Sequence, residues 1–238
     1  MAVLGLVLAS CVTGAAVPVI PRGPGQGRIE PEVGGGLIGQ KPNSYADYDQ
    51  YTTFIANTLA RIDGYWATVL PEDFDVNYEP LSGLYYYRPP DSYGPKCGGV
   101  QLDPEEAELN AFYCLPDDYI AWSEALTLPW YRDVGDSAVA FVLAHEWGHA
   151  IQARLGLEYR YSIDRELAAD CMAGAWAGAM REAGAMSEGD VDEAVLAVYR
   201  VRDQREVEWL DPGAHGTAGQ RLDAFQAGLD DDAGRCVS

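Results

Sequence analysis

Apolar positions recur at helical spacing early in the chain. Tyr48, Tyr51, Ile55, Leu59, Ile62 and Trp66 form one stripe, which predicts a helix from a Ser44 cap to about Val69, ended by Pro71. The period then changes. Tyr85–Tyr87, Gly99–Leu102, Ala111–Cys114 and Tyr119–Trp122 are short aromatic or β-branched runs between Pro and Gly breaks, and they predict strands. Their aromatic residues could form a carbohydrate platform, but half-buried sheet positions account for them more simply. Beyond Asp136 the pattern is helical again. A cap at Asp136 or Ser137 opens a helix to about Leu155, with Gly156 placed to end it. A second helix covers Glu166 to about Ala183. Ser187–Asp190 reads as a capping box for a third, to about Glu208, and Thr217–Gln220 as another for a short helix to about Ala227.

Two stretches fall outside this alternation. Residues 1–10 are small and apolar, too short to cross a bilayer as a helix but matching the apolar core of an export signal. Leu8-Ala9-Ser10-Cys11 resembles the lipobox of bacterial lipoproteins, in which the cysteine is lipidated. No Lys or Arg precedes the run, which leaves room for a start codon further upstream. Residues 12–43 are rich in Gly and Pro, bury too little to offset their ordering entropy, and read as a tether. The expected organisation is therefore a signal segment 1–11, a tether 12–43 and a domain 44–238.

Charge narrows the partners. With 16 Lys and Arg against 37 Asp and Glu, the formal net charge is −21. A surface this acidic repels nucleic acid and anionic lipid, so membrane contact is expected through the N-terminal anchor only. Most of the acid is a solvated surface; a taste for cationic substrates is the lesser reading. Setting Cys11 aside, Cys97, Cys114, Cys171 and Cys236 remain. In an oxidising compartment they predict two disulfides, with three pairings open. Cys97 with Cys114 closes a short loop and leaves Cys171 with Cys236. Zinc ligation by these thiols is poorly supported, because no C-x-x-C pair occurs.

The chemistry centres on Ala144-His145-Glu146-Trp147-Gly148-His149, an H-E-x-x-H pattern inside an apolar helical run. Positions i and i+4 share a helical face, so both imidazoles can meet one metal ion. Glu146, one residue past the first ligand, can act as general base on an attacking water. A third ligand is required, and Glu166 on the next predicted helix supplies one. Asp170 shares its face and can accept the free N–H of a ligating imidazole. Taken alone, these two acids would read as surface partners of Arg165 or Arg181; the upstream H-E-x-x-H tips the balance toward the metal. His215, in Ala214-His215-Gly216-Thr217, is either a donor to the oxyanion formed on attack or a structural residue of a Gly-rich turn.

Phe141–Gln152, Glu166–Trp176 and His215–Arg221, with Cys97-Gly98 and Phe112-Tyr113-Cys114 upstream, resemble the bacterial neutral zinc metallopeptidases over about residues 45–238. That group is similar to the gluzincins, with their H-E-x-x-H and E-x-x-x-D helices. The resemblance implies zinc on His145, His149 and Glu166, Glu146 as general base and Asp170 behind the ligands. It also implies an α+β, zincin-like fold with active-site helices packed against a small mixed sheet and a long N-terminal helix. In such folds the substrate adds as an extended strand to the sheet edge, here Ala111–Cys114 or Tyr119–Trp122. Two departures stand out: Val201-Arg202-Asp203-Gln204 where the group is expected to carry Gly-Asp-Asp, and Ala150 where many relatives have another His.

The expected function is an exported, lipid-anchored zinc endopeptidase facing the periplasm or exterior, acting on peptides or proteins. The rival readings are a zinc-containing envelope scaffold without turnover and an amidase acting on cell-wall peptides.

Overall fold

The structure is a computed structural model and describes residues 26–27, 48–201 and 214–237. Cys11, the 1–11 segment and nearly all of the tether lie outside the described residues. Helix α1 (Tyr48–Phe74) buries Tyr51, Ile55, Leu59, Ile62, Trp66 and Leu70 along one side; its expected cap, Ser44, is not among the described residues. Pro71 does not end it but sits inside the last turns. Ala67, whose carbonyl loses the N–H that proline lacks, is exposed, so water can satisfy it.

A small mixed sheet follows, in the order β1-β2-β4-β3. Strand β2 (Gly83–Tyr87) runs parallel to β4 (Tyr119–Ser123), and β3 (Ala111–Cys114) pairs antiparallel to β4. The two-residue β1 (Gln26–Gly27) pairs with the far side of β2. Strand β4 is therefore interior, and all five of its residues are buried. The expected strand at Gly99–Leu102 is instead a turn, in which Cys97 and Val100 exchange backbone hydrogen bonds. Val100 is 69% exposed, so no packing favours an extended run there. Two helices were not anticipated: α2 (Pro104–Glu108), capped by Asp103, and α3 (Glu124–Asp133), capped by Ser123. Pro129 disguises α3 in the sequence, yet burial of Glu124, Thr127 and Tyr131 holds it.

The remaining helices are α4 (Asp136–Arg154), α5 (Ser162–Glu182), α6 (Glu188–Arg200) and α7 (Ala218–Asp230), before a 3-10 turn at Ala233–Val237. Helix α4 is buried on nearly every side, which makes it the axis of the molecule. Its N-cap is Gly135 rather than Asp136 or Ser137, and the Ser137 N–H reaches Glu193 of α6 at 3.4 Å. Helix α5 starts at Ser162, a turn before Glu166. Both expected capping boxes form, at Ser187/Asp190 and Thr217/Gln220. Helix α6 is described as far as Arg200, so its expected extension to Glu208 and the Arg202–Gln204 departure lie outside the described residues.

Cys97 is bonded to Cys114 and Cys171 to Cys236. The second bond fastens the C-terminal turn to α5. Beside it α5 and α7 approach backbone to backbone: a Cβ on Gly228 would fall 1.9 Å from the Cys171 carbonyl oxygen, so only glycine fits. This contact lays the start of α7 against Asp170. Among the described residues no helix is long and apolar enough to cross a membrane.

Candidate metal centre and cleft

The H-E-x-x-H segment occupies the middle of α4, where a second helix can come close only over a small residue. Gly148 provides that place, since a Cβ there would lie 3.0 Å from the Ala169 Cα. Helix α5 thereby brings Glu166 and Asp170 beside both histidines. His145 Nε2 lies 3.2 Å from Glu166 Oε2, and His149 Nε2 lies 3.4 Å from Glu166 Oε1. The three side chains offer ligand atoms that all fall within 4.8 Å of one another.

Each imidazole is steered from behind. Asp170 Oδ1 lies 2.8 Å from His145 Nδ1, and Gln152 Oε1 lies 3.0 Å from His149 Nδ1. Acceptors at both Nδ1 atoms favour a proton there and turn both Nε2 atoms toward Glu166, where a bound cation would take the place of an Nε2 proton. Gln152 is itself anchored, donating to the Arg165 carbonyl at 2.7 Å. Asp170 is fully buried and gripped by Arg221 of α7, Nε to Oδ2 and Nη2 to Oδ1, both at 2.7 Å. The surface partners considered for these acids divide differently: Arg165 reaches Glu166 at 3.1 Å, whereas Arg181 lies near Asp230.

The electrostatics favour a cation. Burial opposes charge on His145, but hydrogen bonds to Asp170 and Glu166 outweigh it and raise its pKa to about 10. Burial likewise opposes charge on Glu166, and the two histidines overcome it, holding the carboxylate far below its usual range. For Asp170 the Arg221 guanidinium outweighs burial in the same direction. A pocket that draws a proton this strongly draws a metal cation by the same field. Two steered imidazoles, one ionised carboxylate and an open side toward the cleft fit a catalytic zinc site.

Glu146 is different. Burial is the largest influence and raises its pKa, and its Oε2 accepts the Tyr113 backbone N–H at 3.0 Å. Tyr113 belongs to β3, the edge strand. Of the two runs considered for the substrate edge, only Ala111–Cys114 qualifies, because β4 is hydrogen-bonded on both sides. The cleft along this edge has a volume of about 580 Å³. His215 is exposed and lines it. So does Tyr159, whose buried hydroxyl has no hydrogen-bond partner among the described residues.

Gln152, Tyr159, Arg221 and the Tyr113 N–H were not foreseen. Gln152 was legible in principle, three residues after His149 on the same helical face. Arg221 closes the His215–Arg221 motif, but nothing local says which acid it meets.

A family model described as "Putative neutral zinc metallopeptidase" matches residues 25–237. The chain belongs to that family. Among its relatives, uncharacterized protein YpfJ of Escherichia coli K12 is 29% identical over 217 residues, covering 79% of this chain and 71% of the relative. Uncharacterized protein Rv2575 of Mycobacterium tuberculosis is 27% identical over 199 residues, covering 70% and 63%. No solved structure matches the chain. Membership agrees with the donor set, and the family's description extends to zinc and to peptide bonds.

Proposed function

We propose that the protein is a zinc-dependent endopeptidase with a zincin-like active site, exported and anchored through Cys11. The observation that carries this reading is Glu146. It stands between the two histidines, tied to the edge strand, where a scaffold held together by metal would have no use for a buried carboxylate. His145, His149 and Glu166 would hold the zinc, which supplies Lewis acidity toward water and carbonyl when bound.

The chain's own groups supply the rest. Substrate lies along β3 as an added strand, held by main-chain hydrogen bonds. Glu146, made more basic by its burial, takes a proton from the attacking water and returns it to the leaving amine. Tyr159, whose hydroxyl has no partner among the described residues, is a cleft donor for the oxyanion, and His215 lines the same cleft. Asp170, Arg221 and Gln152 keep the imidazoles aligned throughout. Two disulfides support an oxidising compartment.

The test is digestion of a proteome-derived peptide pool, and separately of purified cell wall, by metal-loaded protein. Wild type should carry zinc and cut unstructured peptides; Glu146→Gln should keep zinc and cut nothing. Absence of zinc from the purified wild type would sink the proposal, and cleavage of cell wall alone would reassign it to an amidase.

A further inference from the structure

Around the cleft, charge runs against the rest of the chain. Acidic residues outnumber basic ones 37 to 16 overall, yet the cleft is lined by Arg165, Arg200 and Arg221 against Glu146 and Glu166. Four of these five have partners inside the protein. Arg221 grips Asp170, Arg165 reaches Glu166, Glu166 faces the imidazoles and Glu146 accepts the Tyr113 N–H. Among the described residues Arg200 is the exception. It is exposed at the end of α6 and makes no ion pair among the described residues. Its guanidinium carbon lies 5.8 Å from the centre of the Trp130 ring, which lines the same cleft.

We infer that the cleft accepts peptide segments with an acidic side chain close to the scissile bond, and that Arg200 receives that carboxylate. The inference rests on the peptidase reading and narrows its substrate class. An indole face beneath a guanidinium holds the planar fork in place while leaving its N–H groups outward, so less entropy is lost when a carboxylate binds in a two-pronged manner. The distant acidic surface does not cancel this, because exposed charges beyond about 8 Å are largely screened at physiological salt. Local pairing then outweighs the global field that would favour cationic peptides. The plainer account of Arg200 is a solvated residue in the last turn of a helix, where a cation is favoured by the helix dipole. That account predicts no selectivity.

Zinc-loaded full-length protein should be given a peptide pool containing matched Asp/Asn and Glu/Gln pairs around each cut site. Acidic peptides should be cut about tenfold faster than their amides, as expected for one charge-assisted contact. Arg200→Ala should bring the acid-to-amide ratio toward one, Arg200→Lys should restore part of it, and Arg200→Glu should turn the preference toward Lys- and Arg-bearing peptides. In parallel, binding of a fluorescent acidic peptide and its amide counterpart is measured on zinc-loaded Glu146→Gln, with and without Arg200→Ala. Cleavage with no acid preference, or with a preference that survives Arg200→Ala, overturns the inference and leaves the peptidase reading standing. No cleavage by wild type, but Arg200-dependent binding of the acidic peptide, overturns the peptidase reading and keeps the acidic receptor. Neither cleavage nor selective binding overturns both.

Discussion

Helix α4 carries two buried clusters of groups able to ligate a metal, and they differ instructively. Near its middle stand His145, His149 and Glu166; at its start stand Asp136, Asp190 and Glu193, whose ligand atoms also fall within 4.8 Å of one another. In the first cluster every atom that does not face the centre is held by a neighbour, so the remaining lone pairs converge. In the second the acids serve helix ends. Glu193 accepts the Ser137 N–H, and Asp190 accepts the Ser187 N–H at 2.5 Å in its capping box. Carboxylates at helix N-termini meet orphan amides and the positive end of the dipole. Proximity of donors is therefore common to both clusters; what separates them is that Asp190 and Glu193 are engaged by backbone amides near helix starts, whereas the Nδ1 contacts of the histidines leave both Nε2 atoms turned toward the centre.

The largest effect should come from Glu146→Gln, with turnover falling on the order of 10²–10⁴-fold while bound zinc, measured by metal analysis, stays at one per chain. Removing support from behind the first cluster should come next. Arg221→Met strands the buried Asp170 charge and should cost about 3–5 kcal/mol of unfolding free energy in denaturant titrations. Pairing it with Asp170→Asn should recover a good part of that stability without restoring zinc affinity. If the double variant is no more stable than the single one, the charge pairing is not what matters.

Gln152→Leu frees His149 to turn, and a roughly 10–100-fold loss of zinc affinity is expected by chelator competition. A change at the second cluster should look different. Glu193→Gln should lower unfolding free energy by about 1–3 kcal/mol and leave zinc affinity where it was. The finest test is stoichiometric: saturating zinc, then dialysis, should leave one ion per chain. Two tightly held ions would erase the distinction between the clusters.

The first cluster was largely legible in the sequence because its defining part is local. A helix places i and i+4 on one face whatever surrounds it, so His145, Glu146 and His149 could be assigned from spacing. Glu166 and Asp170 needed one further assumption, that the next helix folds back beside the first. The end of α1 and helix α3 were misjudged for a shared reason: proline weakens a helix, but burial of the opposite face repays the missing hydrogen bond. Gly99–Leu102 failed in reverse, a strand-like run that nothing packs against.

By itself, then, the sequence determined the periods of the main helices, the capping boxes and the two imidazoles with the acid between them, all set by local geometry, while it left three cysteine pairings open. Only the tertiary structure decided that Arg221 rather than Arg165 or Arg181 secures Asp170, that β3 and not β4 is the free edge, and that Arg200 rests on Trp130 beside the cleft. Those pairings join residues far apart in the chain. The pairing of Arg221 with Asp170 goes with the backbone approach of α5 and α7 at Gly228, and spacing along a sequence carries no record of such distances.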